Sequence, residues 1–407
     1  MSRHPLALAV ARGAVAGAAV ALAATAAGSA LAAHFARRVV TPSRSRPDDA
    51  TVLAVHGPAG SPTAVVLRES PEALAPGRYG LWLAGGAGHA RLGPVLERDG
   101  GTGRGSGPAT VTREVVGVDA GELVPGPARW DGAYFAGDPS SALGLAHADV
   151  LVRSDVGDLP TWEVPPPPAG GGGAPASDVW AVLVHGRGAT RAECLRALPV
   201  LHRLGVGAVV PAYRNDAEAP PSRRGRYGLG GTEWRDVEAA VLHALARGAR
   251  EVVLVGWSMG AATVLQLLAR SWTADRVRAV VLDGPVLDWR HVLDHQARLN
   301  RLPAPIGRYG LAMLSSPVAR AVVGVEDPVD LGRMDWVARA AELHVPLLVL
   351  HSDDDEYVPV EPTRWLAAAR PDVVRHVEFT GAGHCREWNV DPDRWEREVA
   401  RFLLDHL

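Results

Sequence analysis

From residue 180 to the C terminus the sequence alternates short, almost wholly apolar runs with amphipathic stretches, and this rhythm limits the possible folds more than any other feature. The apolar runs (180–184, 208–211, 251–255, 277–282, 346–350 and 376–379) have strand length, while the stretches at about 190–204, 232–247, 259–270, 361–369 and 392–405 repeat with helical spacing. A strand apolar on both sides needs cover on both faces, which a parallel sheet obtains from its own crossover helices. Right-handed connections follow from the spacing. The prediction is an α/β domain over 179–407 with a doubly wound, mostly parallel sheet. About sixty residues between 282 and 346 break the rhythm and exceed an ordinary connection. Their helical pieces read as an insertion over the sheet's carboxyl edge, a lid or pocket wall at about 288–343.

The first part of the chain reads differently. Residues 13–35 carry no charge and lie between arginines, a length that can span a bilayer as a helix. Residues 1–38 are therefore expected to be a single-pass membrane anchor or a signal segment, with Ala30-Leu31-Ala32 as a cleavage site if the protein is secreted. Short β-type runs separated by Gly- and Pro-rich turns fill 51–163 and predict a small β-rich unit. The run PPPPAGGGGAPASD within 164–178 reads as a linker into the α/β domain.

Composition removes several chemistries. All 42 basic residues apart from histidine are arginines, so there is no lysine for a Schiff base, a pyridoxal phosphate or a phosphate loop. A net charge of −3 offers no basic surface for nucleic acid. The two cysteines, Cys194 and Cys385, support neither a disulfide framework nor a four-thiolate zinc site. No metal or organic cofactor is expected.

The chemistry-bearing motif is Gly256-Trp257-Ser258-Met259-Gly260, a G-x-S-x-G between an apolar strand and a helical stretch. A serine on so sharp a turn is lifted above the sheet edge, and the helix that follows presents free N–H groups to developing negative charge. In this setting the chain resembles the α/β-hydrolases from about residue 180 onward. Further stretches carry the resemblance. His351-Ser352-Asp353-Asp354-Asp355-Glu356-Tyr357-Val358-Pro359 resembles the family's H-G-x-x-D-x-x-V-P segment, with Ser352 in place of glycine, and Gly381-Ala382-Gly383-His384 resembles its G-x-G-H loop. The resemblance implies a triad of Ser258, His384 and Asp355. Asp353, Asp354, Asp283 and Asp288 remain open as alternative acids.

Met259, directly after the serine, is the first expected oxyanion donor. The loop His185-Gly186-Arg187-Gly188 resembles the family's H-G segment and implies Arg187 as the second, with Gly188 in reserve. The Arg187 side chain is expected to face substrate or solvent, and His185 to be structural. The segment from Tyr213 through Trp234 resembles actinobacterial α/β-hydrolases with an N-terminal hydrophobic segment. A dinucleotide fingerprint at Gly186-Arg187-Gly188 fails, because Arg191 stands where Gly or Ala is required and no acid closes the next strand.

The resulting expectation is a serine hydrolase acting on a small-molecule or lipid-like acyl ester, thioester or amide, membrane-attached through its N-terminal helix. An acyltransferase, a peptidase and a non-catalytic tethered binding protein are the alternatives.

Overall fold

The computed structural model describes residues 23, 25–43, 46–58, 60–101, 107–168 and 177–407. Six strands, β1 (Ala50–His56), β2 (Ala64–Arg68), β3 (Tyr79–Leu83), β4 (Gly88–Asp99), β5 (Thr110–Ala120) and β6 (Gly126–Asp131), close a barrel in the order β1-β2-β5-β4-β3-β6. Eight more form one open sheet: β7 (Ala148–Ser154), β8 (Gly157–Val164), β9 (Val179–Val184), β10 (Gly207–Pro211), β11 (Glu251–Trp257), β12 (Val277–Asp283), β13 (Leu347–Ser352) and β14 (Val374–Phe379). Their order is β14-β13-β12-β11-β9-β10-β8-β7, parallel from β14 to β10 and antiparallel across β8 and β7.

The alternation along β9 shows why these runs were apolar throughout. Trp180, Val182 and Val184 enter the core on one face, and Val179, Ala181 and Leu183 enter the core on the other. The helices Trp234–Ala246 and Met259–Arg270 cover the first face; Leu198–Arg203 and Pro392–Leu404 cover the second. Between β12 and β13 lie the helices Trp289–Leu299, Ala304–Ser315 and Arg320–Val323, the helical insertion expected there. Gln296 Nε2 and His295 Nε2 tie the first of them to the carbonyls of Tyr357 (2.8 Å) and Glu356 (3.0 Å).

Two boundaries are corrected. The β-rich unit ends with β6, not at residue 163: the hairpin β7–β8 extends the large sheet, β8 pairing with β10 through Ala208↔Val164 to Pro211↔Thr161. Alternating, half-buried hairpin strands look the same in sequence at the edge of either sheet. It follows that 164–178 joins β8 and β9, two strands of one sheet with β10 between them, instead of two domains; its residues 169–176 lie outside the described residues.

The expected N-terminal segment is described only in part. Residues 25–40 are helical, and Ala32, Ala36 and Val40, spaced by one helical turn, are buried in the core on the lid side. A Cβ on Gly310 of the lid would lie 3.2 Å from the Ala32 carbonyl, so the two helices pack backbone to backbone there. Among the described residues no helix is long and apolar enough to cross a membrane. Residues 1–22 and 24, and with them nearly half of the expected span, lie outside the described residues.

Inside the barrel Arg113 is wholly buried and faces no carboxylate. Its guanidinium donates to the carbonyls of Ala73 (3.0 Å), Ala75 (2.7 Å), Gly77 (2.6 Å) and Gly93 (2.7 and 3.0 Å), beside the paired rings of Tyr79 and Trp130. Burial pulls its pKa down to about 10, so it stays charged at neutral pH. Arg113→Met fills much of the same space but leaves four carbonyls without that donor, and those of the buried Ala73 and Gly93 cost about 1–3 kcal/mol each. The expected result is a loss of at least about 3 kcal/mol in urea denaturation; an unchanged midpoint would mean that water replaces the guanidinium.

Candidate active site

Ser258 stands between the end of β11 and the helix Met259–Arg270 with φ +51 and ψ −114, a left-handed conformation that a side chain adopts only under constraint. The flanking glycines make that constraint possible. A Cβ on Gly260 would sit 2.1 Å from the Val184 carbonyl, and one on Gly256 would sit 2.8 Å from the backbone of Ala261. With hydrogen at both places, the helix comes down directly onto the end of β9. The Ser258 N–H donates to Asp283 O at 3.1 Å, and Ser258 O accepts from Val286 N at 3.3 Å.

His384 lies in the loop after β14, with Nε2 2.8 Å from Ser258 Oγ and Nδ1 2.7 Å from Asp355 Oδ2. A ring nitrogen against a carboxylate carries the proton, which leaves Nε2 free to accept from the serine hydroxyl. Asp355, after β13, is buried, and its Oδ1 accepts from the N–H groups of Tyr357 (2.9 Å) and Val358 (2.8 Å). Behind it His351 places Nε2 3.3 Å from Asp355 Oδ2 and 3.1 Å from Val358 O, while its Nδ1 meets Thr363 Oγ1 at 2.8 Å. Burial pushes the Asp355 carboxyl up. The His384 charge and the hydrogen bonds from His351 and His384 outweigh that and hold it well below the usual carboxylate range.

The other acids are engaged elsewhere. Asp353 pairs with Arg364, and Asp354 accepts from Gly381 N at 2.6 Å. Asp283 accepts from Trp395 Nε1 at 2.6 Å, and Asp288 caps the helix Trp289–Leu299 through Arg290 N at 2.8 Å.

Met259 opens its helix, where backbone N–H groups have no partner within the helix. The loop after β9 passes alongside: a Cβ on Gly186 would be 3.2 Å from Ser258 Cβ. Glu193 Oε2 accepts from Gly186 N at 2.6 Å, and the Tyr213 hydroxyl donates to Gly186 O at 3.1 Å. The half-buried Arg187 side chain is held by the N-terminal segment lying across the loop, its guanidinium donating to the carbonyls of Arg38 (2.9 Å) and Thr41 (3.4 Å). Gly188 O accepts from Arg46 at 3.2 Å. His185 is fully buried, stacked on Tyr213 and bonded to Asp216 at 2.9 Å, a structural residue. The segment 213–234 packs inward: Tyr213, Tyr227, Leu229 and Glu233 are buried, and Glu233 gathers the N–H groups of Gly228 (2.7 Å) and Gly230 (2.8 Å).

Sequence reasoning missed Glu193 and Tyr357. The helical register from residue 190 could have turned Glu193 back toward the strand end. The half-exposed Tyr357 ring lies 5.2 Å from the His384 ring, and nothing in its spacing signals that.

Comparison with known proteins agrees with this architecture. Residues 51–131, the barrel, match the sequence profile of a domain of unknown function (DUF8805). No curated protein matches the chain. An esterase of Pyrococcus furiosus superposes with a TM-score of 0.50 at 18% identity, over 67% of this chain and 94% of its own. An esterase from a Rhodococcus species does so with a TM-score of 0.43 at 19% identity, over 65% of this chain and 100% of its own. Residues 181–401, more than half of the chain, match the profile of the α/β hydrolase family, and the chain belongs to that family.

Proposed function

We propose that this hydrolase cleaves a carboxylic ester through an acyl-enzyme on Ser258. The observation that carries the reading is the hydrogen-bonded series from Ser258 Oγ through His384 to Asp355 at 2.8 and 2.7 Å. A serine hydroxyl is a poor nucleophile at neutral pH, so His384 Nε2 takes its proton as Oγ attacks the ester carbonyl. The same nitrogen then returns the proton to the leaving alkoxide. Water repeats the cycle on the acyl-enzyme, releasing the acid and restoring Ser258. Asp355 stays ionised, fixes the tautomer and stabilises the imidazolium. The N–H groups of Met259 and Arg187 receive the developing oxyanion. The Pyrococcus furiosus protein that shares the fold is named an esterase, and an ester of an alcohol or phenol is the substrate class assigned.

Labelling with a fluorophosphonate tests the reading. One equivalent of label is expected on the wild-type chain and none on Ser258→Ala, with hydrolysis of simple aryl esters lost in parallel. Labelling of both proteins, or of neither, would overturn it.

A further inference from the structure

The barrel's docking point leads directly to the loop that carries His384. Asn389 is fully buried just beyond that loop, and every polar atom of its side chain is engaged. Its Nδ2 donates to two barrel carbonyls, Arg78 O at 2.6 Å and Gly132 O at 2.9 Å, and its backbone O accepts from Arg78 N at 2.9 Å. Its Oδ1 accepts from Arg196 at 3.3 Å, and the same Arg196 nitrogen donates to Cys385 O, the residue after His384, at 2.8 Å. Arg196 is itself buried, with its guanidinium 5.3 Å from the ring of Trp257, the neighbour of Ser258.

Two observations show that this arrangement is tightly fitted. Cys385 holds φ +52, a strained value for a residue with a side chain, so the loop keeps its path only under restraint from its surroundings. Gly77, at φ +96, lets the barrel come so close that a Cβ there would lie 2.1 Å from Asn389 O. The barrel carbonyls, Asn389, Arg196 and Cys385 O thus form one continuous buried set ending beside the imidazole.

From this we infer that the barrel is a working part of the active site and that Asn389 is a positioning residue: with Arg196 it fixes the height and tilt of the His384 loop against Ser258. The inference rests on the Ser258–His384–Asp355 reading above. It gives the barrel a role without assigning it any ligand. A merely adhesive Asn389 would affect stability but not the chemical step, and this difference is measurable.

The experiment uses the full chain as Asn389→Ala, Asn389→Asp, Arg196→Met and the double variant Asn389→Ala/Arg196→Met. Thermal melting is recorded beside kcat and KM on an aryl ester and the rate of fluorophosphonate labelling. A displacement of the imidazole by about 1 Å is worth about 100-fold. Asn389→Ala and Arg196→Met are therefore expected to lower kcat and the labelling rate about 10- to 100-fold, with KM changed less than about twofold. Asn389→Asp retains the acceptor for Arg196 but turns a carboxylate oxygen toward Arg78 O and Gly132 O, and should lose at least as much as Asn389→Ala. The double variant should lose no more than the worse single one, because both act through one set of contacts.

Wild-type kcat and labelling rates in folded variants, additive losses, or an effect confined to KM would overturn the inference. Failure of both Asn389 variants to fold would overturn it too, reducing the residue to an adhesive role. A wild-type chain that neither labels nor turns over esters would instead defeat the proposed function, so the two failures are distinguishable.

Discussion

Ser258→Ala and His384→Ala are each expected to lower kcat on an aryl ester by about 10⁶-fold, and the double variant to be no worse than either alone. The reason is that the two groups act as one unit. The hydroxyl attacks only as its proton passes to Nε2, 2.8 Å away, so removing either end removes the same step. A residual rate of about 10³–10⁴ over water should persist, supplied by the oxyanion donors and by substrate binding. Steady-state kinetics of the three variants provide the check, with circular dichroism to show that each is folded. Independent, additive losses would mean that Ser258 and His384 serve different steps.

Asp355→Asn is the second large effect, and here the geometry predicts which way the amide must turn. Oδ1 accepts two backbone N–H groups, from Tyr357 and Val358, so the amide oxygen has to take that place. The NH₂ group then faces His384 Nδ1, which can only accept. The ring proton moves to Nε2, the nitrogen that must receive the serine proton, and kcat is expected to fall about 10⁴-fold with the fold intact. A loss under tenfold would show that another acid serves the ring.

The pH behaviour has a definite sign. Asp355 is held below its unfolded value near 3.9. Its contribution to stability is therefore complete above that value and is lost as pH falls through the lower folded one. Between pH 5 and 8 this carboxylate does not titrate, and any acid limb of kcat/KM in that window belongs to another group.

The large sheet was readable because physics writes it twice, once in strands apolar on both faces and once in helices of the right spacing. Ser258 was readable because glycines at 256 and 260 flank it between an apolar strand and a helical stretch, although the contact that requires Gly260 is with the distant end of β9. Asp355 and His384 came from the resemblance of two short stretches, 351–359 and 381–384, to motifs of the α/β-hydrolases. The limits have equally plain causes. β7 and β8 carry the alternation of any half-buried hairpin, and which sheet takes them is decided by pairing with β10, some fifty residues away. The apolar N-terminal stretch has the length of a bilayer span, and the burial of Ala32, Ala36 and Val40 on the lid side depends on partners hundreds of residues later. Asn389 left no trace at all: its meaning lies in carbonyls 311 and 257 residues earlier, and an asparagine near a helix start suggests only a cap.

The polypeptide lying over the oxyanion loop has a consequence for how such a protein could be dissected. Arg38, Thr41 and Arg46 contact the rim through Arg187, Arg226 and Gly188, and Val40 O accepts from Tyr227 N at 2.9 Å. The hydrolase portion is thus not a portable module that could be excised at residue 179. The residues that cover its oxyanion loop belong to the far end of the polypeptide, so a fragment begun at residue 179 would lose the partners of Arg187, Arg226 and Tyr227.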